Sequence, residues 1–454
     1  MQQKNIAILG AGESGVGAAL LAHAHGYGVF VSDKSKIKDR YRKELQENNI
    51  DYEEENHDEI RILQSELIVK SPGIPDDIAL IQKAKAKQIE VIGELEFGFR
   101  YARHSRMILI TGTNGKTTTT LLTYHLMKEA GLDVGLAGNV GTSLARQVMN
   151  SSHQWYVIEA SSFQLDNMSQ FKADVAVILN ITPDHLDRYN YHFPNYINSK
   201  FSILRNMTAD NVFIYFQGAE VLNREVSHRN VSPLHLPISI NQPVKAGSWM
   251  TNGLLHFSLP GVEYQIPVEK VPLQGNHNYV NVMAAVTIAL QAGAQSDAVA
   301  EALKSFVNVP HRMEKIAVID QVAFVNDSKA TNVDAVYYAL ESFKNSLVWI
   351  AGGEDKGNDY HQIKELVTQK VKALICLGKD NDKLKDFFGG IVSQIEETTS
   401  TKEAIAMAYQ LATAGDTVLL SPACASFDLF KNYEDRGNQF RQSVLSFKQE
   451  KEKS

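Results

Sequence analysis

Short apolar runs that alternate with amphipathic helices constrain the fold of this chain more than any other feature of its sequence. Residues 6–9, 107–110 and 347–350 lie in three separate series, and each run is followed by a glycine-containing turn. Apolar runs of this length are typical of parallel strands that helices cover on both faces. The sequence therefore predicts an α/β protein that contains three domains.

The three series predict the domain organisation. We expect a Rossmann-like N-terminal domain over residues 1–95 and a central P-loop-type ATPase domain with a parallel sheet over residues 96–308. A C-terminal Rossmann-like α/β domain would occupy residues 309–454. Residues 230–275 are richer in proline, glycine and alternating apolar residues, which predicts a β-rich insert in the central domain.

The composition excludes several classes of protein. Of the 454 residues, 44% are hydrophobic and 21% are charged, which is typical of a globular protein and not of a disordered or fibrous one. The net charge of −7 argues against a dedicated nucleic-acid binder but permits a local basic pocket for a phosphorylated ligand. Cys376 and Cys424 are too few for a disulfide framework. We find neither a signal peptide nor an apolar run long enough to cross a membrane, so we expect a cytoplasmic protein.

The first glycine-rich motif is GAGESG at residues 10–15. It follows a predicted strand, opens a helix and precedes Asp33 at the end of the next strand, as in the dinucleotide-binding fingerprint. Such glycines let the backbone approach a pyrophosphate at a helix N-terminus. The alternative is that they only pack the helix against the strand. The motif alone does not distinguish NAD from another nucleotide diphosphate.

The second motif is GTNGKTT at residues 112–118, directly after another predicted strand. In a phosphate loop of this kind, backbone N–H groups surround the phosphates, Lys116 neutralises their charge and Thr117 holds Mg²⁺. The spacing departs from the strict P-loop pattern, because Ile110 stands where the first glycine is expected. The alternative is a glycine turn without a ligand.

Polar residues follow several of the remaining predicted strands. Glu159 closes one strand of the central domain, and the sequence NITPDHLDR at residues 180–188 follows the next. In the third domain, polar segments at residues 326–332, 352–356 and 421–428 occupy equivalent positions. Any one of them could be a turn with a helix cap. Together they predict a substrate crevice, because ligands of α/β proteins bind at the carboxyl ends of the strands.

These motifs, taken in order, resemble the Mur ligase family, the ATP-dependent amide ligases of peptidoglycan synthesis. The resemblance covers nearly the whole chain. Within the family, GxGxxG together with Asn114 is similar to the branch that adds D-glutamate. The motifs that carry the resemblance are GAGESG, GTNGKTT, EASSFQL, NITPDHLDRY, GNHNYVN, PHR, NDSKATN, SPACASFD and NYEDRG.

The resemblance implies a reaction and its partners. ATP would phosphorylate the carboxylate of UDP-N-acetylmuramoyl-L-alanine, and the amine of D-glutamate would attack the acyl phosphate. Two Mg²⁺ ions and an N-carboxylated Lys200 would assist this reaction. We also expect a monomer that binds neither nucleic acid nor a membrane.

The resemblance implies a role for individual residues of the nucleotide and metal sites. The catalytic residues would be Lys116, His185 and Lys200. Thr117, Glu159, His185 and Lys200 would bind metal. ATP would contact Gly112, Thr113, Asn114, Gly115, Lys116, Thr117, Thr118, Asn278, Asn281, Arg312, Asp327 and Lys329.

The two other substrates would have sites of their own by the same resemblance. The UDP-linked substrate would meet Gly12, Glu13, Ser14, Lys34, Ser35, Ser71, Gly73, Asn139, Ser161 and Gln164. D-glutamate would meet Thr331, Lys356, Ser426, Phe427 and Tyr433.

Two other functions remain open from the residues alone. An NAD-dependent oxidoreductase would account for the GAGESG motif and Asp33 but not for GTNGKTT or Glu159. A non-enzymatic P-loop binding or switch protein would leave the polar strand ends of the third domain unexplained. Lys200 also has a simpler interpretation, as a surface lysine on an amphipathic helix.

Overall fold

The structure is a computed structural model, which describes residues 4–355 and 357–452. Over these residues the strands form three sheets, of five, nine and six strands. The chain forms two compact units: the first contains the residues up to Pro272 and Asn278–Phe306, and the second contains Leu273–His277 and the chain from Val307 onward. The three parallel-rich sheets confirm the predicted α/β fold class, whereas the domain limits 1–95, 96–308 and 309–454 stay predictions.

The five-stranded sheet of the first unit is parallel throughout, in the order β3-β2-β1-β4-β5. Its strands are β1 (Asn5–Leu9), β2 (Gly28–Asp33), β3 (Asp51–Glu54), β4 (Leu67–Lys70) and β5 (Glu90–Gly93). Its helices are α1 (Glu13–Ala24), α2 (Asp39–Glu47), α3 (Glu59–Ile62), α4 (Ala79–Ala86) and α5 (Glu94–Tyr101).

Strand β1 shows why the sequence forms a doubly covered sheet. Ile6 and Ile8 belong to one hydrophobic cluster, and Ala7 and Leu9 belong to another. Successive side chains of a strand point to opposite faces. A run without polar residues therefore needs a helix layer on each side, and the alternation of strands and helices supplies both layers.

The nine-stranded sheet of the first unit has the order β14-β13-β12-β11-β10-β9-β6-β8-β7. Pairing is parallel from β7 to β12 and antiparallel from β12 to β14, within the predicted β-rich insert. The strands are β6 (Arg106–Thr111), β7 (Val134–Gly138), β8 (Trp155–Glu159), β9 (Val175–Ile178), β10 (Val212–Phe216), β11 (Leu234–Ser239), β12 (Gly247–Thr251), β13 (Leu254–Leu259) and β14 (Val262–Pro267).

Helices cover this sheet and place its loops at the strand ends. Three short 3-10 helices span Leu186–Tyr189, Ser202–Leu204 and Val268–Lys270. The α-helices are α6 (Lys116–Glu129), α7 (Leu144–Asn150), α8 (Ser162–Leu165), α9 (Phe193–Phe201), α10 (Glu220–His228), α11 (Asn276–Gln291) and α12 (Ser296–Ser305).

The six-stranded sheet of the second unit has the order β15-β16-β20-β17-β18-β19, and only the pair β15–β16 is antiparallel among the described residues. Its strands are β15 (Glu314–Ile319), β16 (Val322–Asn326), β17 (Leu347–Ala351), β18 (Val371–Leu377), β19 (Gln394–Thr398) and β20 (Thr417–Leu420). Its helices are α13 (Val333–Glu341), a 3-10 turn (Tyr360–Ile363), α14 (Lys364–Lys370), α15 (Asp382–Phe388), α16 (Thr401–Leu411) and α17 (Tyr433–Glu452).

Within residues 4–355 and 357–452, no helix is both long enough and apolar enough to cross a membrane.

Candidate active site

A glycine loop connects β6 to the N-terminus of α6 at the carboxyl edge of the nine-stranded sheet. Gly115 ends the loop in a left-handed conformation (φ 85°). A Cβ atom at Gly115 would lie 2.5 Å from Oδ1 of Asn281, so a side chain is excluded there by both strain and space. The loop therefore presents backbone N–H groups at a helix N-terminus, which is the geometry of an anion site.

Lys116 begins α6 and folds back over this loop. Its Nζ atom donates hydrogen bonds to the carbonyl oxygens of Gly112 (2.9 Å) and Thr113 (2.8 Å). The ammonium group is thus held at the loop by neutral acceptors that a phosphate group can replace. Thr117 is half-buried in the first turn, and Thr118 behind it is buried.

Asn180, which follows β9, braces the phosphate loop. Its Oδ1 accepts a hydrogen bond from the backbone N–H of Asn114 (2.8 Å), and its Nδ2 donates to the Asn114 carbonyl (3.1 Å). Thr113 adds a reciprocal pair with the backbone of Thr182, at 3.1 and 3.0 Å. Asn180 belongs to the motif at residues 180–188, but its role in the loop is not among the sequence predictions. Its position directly after a strand was the available signal.

Lys200 lies on α9 and reaches the same loop from the other side. It is only 1% exposed, which excludes the interpretation as a surface lysine. Its Nζ donates to the Gly112 carbonyl at 2.8 Å and lies 3.5 Å from Oγ1 of Thr111. Burial first, and then the neighbouring Lys116 ammonium, hold the pKa of Lys200 well below its usual range. Two lysines therefore share one carbonyl acceptor.

Glu159 ends β8 beside the phosphate loop and is buried. Its Oε1 accepts a hydrogen bond from Nδ2 of Asn139 (2.9 Å), and its Oε2 is buried without a hydrogen-bond partner. A buried carboxylate oxygen that lacks a partner is costly unless a cation completes it. Mg²⁺ prefers such hard oxygen ligands, so Glu159 fits a magnesium site.

His185 is the remaining residue predicted to bind metal. His185 follows β9 in a left-handed conformation (φ 52°), with about half of its side chain exposed and its ring 5.2 Å from that of Phe163. Across the described residues, no group of three or more His, Cys, Asp or Glu side chains is close enough to hold a metal ion alone. A magnesium ion here would need hydroxyl, phosphate or water oxygens as further ligands.

Asn278 and Asn281 lie on α11 and are both buried. Oδ1 of Asn281 accepts a hydrogen bond from Oγ1 of Thr119 (3.2 Å), and its Nδ2 lies 3.5 Å from Oδ1 of Asn278. Asn281 thus packs against the start of α6 beside Gly115. Contact of these two residues with adenine stays a prediction.

The GAGESG loop after β1 is closed by its own neighbours. Gly10 has a φ of 89°, and a Cβ atom there would lie 2.5 Å from Oγ of Ser71. The Asp33 carboxylate accepts hydrogen bonds from the backbone N–H groups of Ala11 (2.6 Å) and Ser35 (2.8 Å). The Asp33 side chain therefore stabilises the loop by accepting hydrogen bonds from the backbone on both sides of it. In an NAD site, the acidic residue at this position binds a ribose instead.

Glu13 is held in an ion-pair network within the first unit. Its Oε1 accepts from Nε of Arg146 on α7 (2.8 Å) and from the backbone N–H of Ser143 (3.2 Å). Arg146 also pairs with Glu44 on α2, at 3.1 Å from Nη2. This network joins the two sheets of the unit, and a role of Glu13 in binding UDP stays a prediction.

The remaining residues predicted for the UDP-linked substrate are mostly near the surface. Ser161 and Gln164 form a reciprocal capping box at α8. The Gly73 carbonyl accepts a hydrogen bond from Nη1 of Arg188 (2.9 Å), which connects the loop after β4 to the segment after β9. The structure places Gly12, Lys34, Ser35, Gly73 and Asn139 in exposed positions, and Ser14 and Ser71 in half-buried ones.

The second unit gathers predicted residues at the carboxyl edge of its own sheet. Asp327 follows β16 and is buried, and burial raises the pKa of its carboxyl group to about 7. Lys329 lies over the Tyr433 ring, with 3.8 Å from Nζ to the ring centroid. Ser426 is buried, whereas Phe427 is 65% exposed. Thr331 is exposed, Arg312 is half-buried, and Lys356 lies outside the described residues.

Three family models match successive parts of the chain. The Mur ligase MurD-like N-terminal domain matches residues 4–93, the Mur ligase middle domain matches residues 110–289, and the Mur ligase glutamate ligase domain matches residues 311–424. Together they match well over half of the chain.

Similar proteins extend this match to nearly the full length. A UDP-N-acetylmuramoylalanine–D-glutamate ligase of Cytophaga hutchinsonii is 52% identical over 447 residues, which are 98% of this chain and 99% of that relative. A ligase of the same name from Porphyromonas gingivalis is 51% identical over 97% of this chain and 98% of that relative. A pseudomurein peptide ligase type C from Methanothermus fervidus has a similar fold, with a TM-score of 0.63 at 20% identity over 98% of this chain and 100% of its own. This chain belongs to the Mur ligase family.

Proposed function

We infer that this protein is an ATP-dependent ligase that joins D-glutamate to UDP-N-acetylmuramoylalanine in the synthesis of the peptidoglycan precursor. The observation that carries the inference is the identity of about 50% over nearly the full length with relatives of that name. The braced phosphate loop with two lysines on one carbonyl supports the ATP-dependent part. The same relatives argue against an NAD-dependent oxidoreductase and a non-enzymatic switch.

The chemistry explains why a ligase needs ATP. A carboxylate is a poor electrophile towards an amine. Attack of the carboxylate oxygen on the γ-phosphorus of ATP forms an acyl phosphate and releases ADP. The amine of D-glutamate then attacks the acyl carbon, loses a proton, and the C–O bond to phosphate breaks. The amide and inorganic phosphate are the products.

Lys116 supports this transfer through its charge and position. It would exchange the Gly112 and Thr113 carbonyls for phosphate oxygens of ATP, while Asn180 keeps the loop backbone in place. Catalysis of phosphoryl transfer relies mainly on such positioning and charge neutralisation. The ATP contacts proposed in addition are Asn278, Asn281, Arg312, Asp327 and Lys329.

Magnesium would complete the charge balance around the phosphates. Thr117 and Glu159 are the residues proposed to hold one ion, because the Glu159 Oε2 atom is buried without a hydrogen-bond partner. His185 and Lys200 are proposed to hold a second. When bound, Mg²⁺ neutralises charge that develops on the phosphoryl oxygens.

An N-carboxylated Lys200 fits its surroundings better than an ammonium group does. The low pKa of Lys200 favours the neutral amine, which can add CO₂ through a new N–C bond and release a proton. The resulting carbamate carries oxygen ligands on a long side chain. It would also turn a like charge beside Lys116 into an opposite one.

The substrate contacts complete the proposal. D-glutamate would contact Thr331, Lys356, Ser426, Phe427 and Tyr433 in the second unit, and the UDP-linked substrate would contact the loops after β1, β4, β7 and β8. We propose that the protein acts in the cytoplasm, where ATP and UDP-linked precursors are made, and as a monomer.

The test is the dependence of ATP turnover on both substrates. We expect ADP and phosphate to form only when UDP-N-acetylmuramoyl-L-alanine and D-glutamate are present together, with the amide product identified by mass spectrometry. L-glutamate and omission of either substrate serve as controls. ATP hydrolysis that is independent of D-glutamate would contradict the proposed function.

A further inference from the structure

Arg436 lies in the first turn of α17 and is one of the largest fully buried side chains of the second unit, with 1% exposure. Its Nε donates to Oγ of Ser328 (3.0 Å) and its Nη2 to the Ser328 carbonyl (2.9 Å). Its Nη1 donates to the carbonyls of Gly352 (3.3 Å) and Cys424 (3.2 Å), and Nη2 donates to Cys424 as well (3.2 Å). One guanidinium group therefore bonds three separate chain segments.

These three segments follow β16, β17 and β20, which are neighbours in the sheet order β16-β20-β17. Each segment leads within a few residues to a position proposed to contact D-glutamate: Ser328 to Thr331, Gly352 to Lys356, and Cys424 to Ser426. Oγ of Ser328 also donates to the Tyr433 carbonyl (2.8 Å), which adds the fourth such position. The hydrogen bonds of Arg436 thus hold together the starts of the chain segments that carry these proposed contacts.

The chemistry of the site favours arginine over other cations. All the acceptors above are neutral oxygens, so burial of the charge is not offset by a hydrogen-bonded carboxylate, and burial lowers the pKa of Arg436 to about 10. A lysine has three donors on one atom and cannot span three loops, whereas the planar guanidinium fork can. The buried guanidinium group is costly, but its five donors fix three loops at once.

We propose that Arg436 is a positioning residue for the amino-acid substrate, which sets the relative placement of the three loops and thereby the affinity for D-glutamate. The inference rests on the proposed function. The matching family model for this domain ends at residue 424, before Arg436. Arg436 acts through Ser328, Gly352 and Cys424 and does not itself touch the substrate.

The test compares Arg436→Lys with the unmutated enzyme in steady-state kinetics. We expect the KM for D-glutamate to rise about tenfold or more, because the variant loses two or more buried hydrogen bonds that a charged group donates. The kcat at saturating D-glutamate and saturating ATP should stay within about twofold, because the phosphate loop belongs to the first unit. Arg441→Lys is the matched control, since Arg441 lies on the same helix and pairs with Glu314 instead.

A second variant covers the case in which Arg436→Lys does not fold. Ser328→Ala removes only the hydroxyl that accepts from Nε, and we expect a rise of about threefold in the KM for D-glutamate. An unchanged KM for D-glutamate in a folded Arg436→Lys, or in Ser328→Ala if the first does not fold, overturns the inference. Failure of the unmutated protein to turn over ATP with D-glutamate would instead overturn the proposed function.

Discussion

Two lysines, Lys70 and Lys200, are equally buried at 1% exposure but have different electrostatic surroundings. Nζ of Lys70 donates to the Ile74 carbonyl (2.7 Å) and lies 3.3 Å from a carboxylate oxygen of Asp76. Lys200 has the Gly112 carbonyl as its close acceptor and Lys116 as a neighbouring cation. Burial lowers the pKa of both. After burial, the strongest influence on Lys70 is the carboxylate of Asp76, which opposes the shift, whereas the strongest influence on Lys200 is Lys116, which adds to it and outweighs each of the more weakly opposing carboxylates.

The comparison separates a structural lysine from a chemically reactive one. A buried ammonium with a nearby carboxylate keeps its charge and ties its loop together. A buried amine beside another cation favours its neutral form, which is nucleophilic. Burial alone would not have distinguished the two. The sign of the neighbouring charge with the largest influence does, and three sets of variants test it.

The largest effect is expected when Lys116 is removed. Lys116→Ala should lower kcat by about 10²–10³-fold or more, because the phosphoryl charge loses its partner while little packing is lost. Lys116→Ala also removes the cation beside Lys200, so the electrostatic surroundings of Lys200 would differ less from those of Lys70. Lys128→Ala on the exposed part of the same helix is the control and should leave kcat unchanged. Near-normal turnover of Lys116→Ala at saturating ATP would contradict the phosphate-loop assignment.

The two buried lysines should respond differently to substitution. Lys200→Ala should lose about 10²-fold in kcat, and acetate should restore part of the activity by supplying carboxylate oxygens. Lys70→Met should keep kcat within about threefold and show no response to acetate, because its partner Asp76 is partly solvated.

Carbon-13 NMR of the protein under ¹³CO₂ measures the proposed carbamate directly. We expect a carbamate signal from the unmutated protein and from Lys70→Met, and none from Lys200→Ala. A protein without that signal at neutral pH, together with normal ligation by Lys200→Ala, would refute the proposed role of Lys200.

A smaller effect, on stability, is expected at two glutamates of α5, Glu94 and Glu96. Like the two lysines, both are buried but have different partners. Glu96 accepts hydrogen bonds from the backbone N–H groups of Ser169, Gln170 and Phe171 and from Arg100. Glu94 accepts one from Ala145 (2.7 Å), and its Oε2 is without a hydrogen-bond partner. Burial raises the pKa of Glu94 to about 7.

The raised pKa of Glu94 fixes the sign of a pH effect. The folded protein keeps a proton that the unfolded chain releases above pH 4.5, so stability is lost as the pH rises from there to about 7. Glu94→Gln should remove this loss, a difference of roughly 2–3 kcal/mol in the free energy of unfolding between pH 4.5 and 8. Glu96→Gln should instead destabilise by roughly 1–3 kcal/mol wherever the Glu96 carboxyl group is ionised, because an amide nitrogen would face N–H donors. Urea denaturation at several pH values measures both, and a parallel response of the two variants would contradict the contrast.

The sequence predicted most central strands but missed β10, which lies between β9 and β11, as well as edge strands. The apolar runs before Ser71 and before Asn326 form β4 and β16 as expected. Strands β3 and β19 at the sheet edges were not predicted, because their residues are mostly polar and few of them are buried. An edge strand pairs through its backbone on one side only, so its side chains carry little hydrophobic signal.

The candidate site shows a similar limit. Glycine spacing predicted the phosphate loop, since the backbone conformation of Gly115 is a local property. The burial of Lys200 and Arg436 depends on partners from distant segments, and no local pattern encodes it. Without the family resemblance, the sequence therefore favours a surface position for Lys200. It predicts no role for Arg436, which is named only within the NYEDRG motif.

The close approach of Gly115 and Asn281 also restricts how this chain can change over generations. Any side chain at position 115 meets an amide oxygen that cannot simply move aside, because Oγ1 of Thr119 holds it at 3.2 Å. A smaller residue at position 281 would open the space, but a side chain at position 115 would still be strained by the positive φ. Position 115 is therefore confined to glycine whichever residue stands at position 281. Selection cannot replace Gly115 without first passing through a damaged phosphate loop.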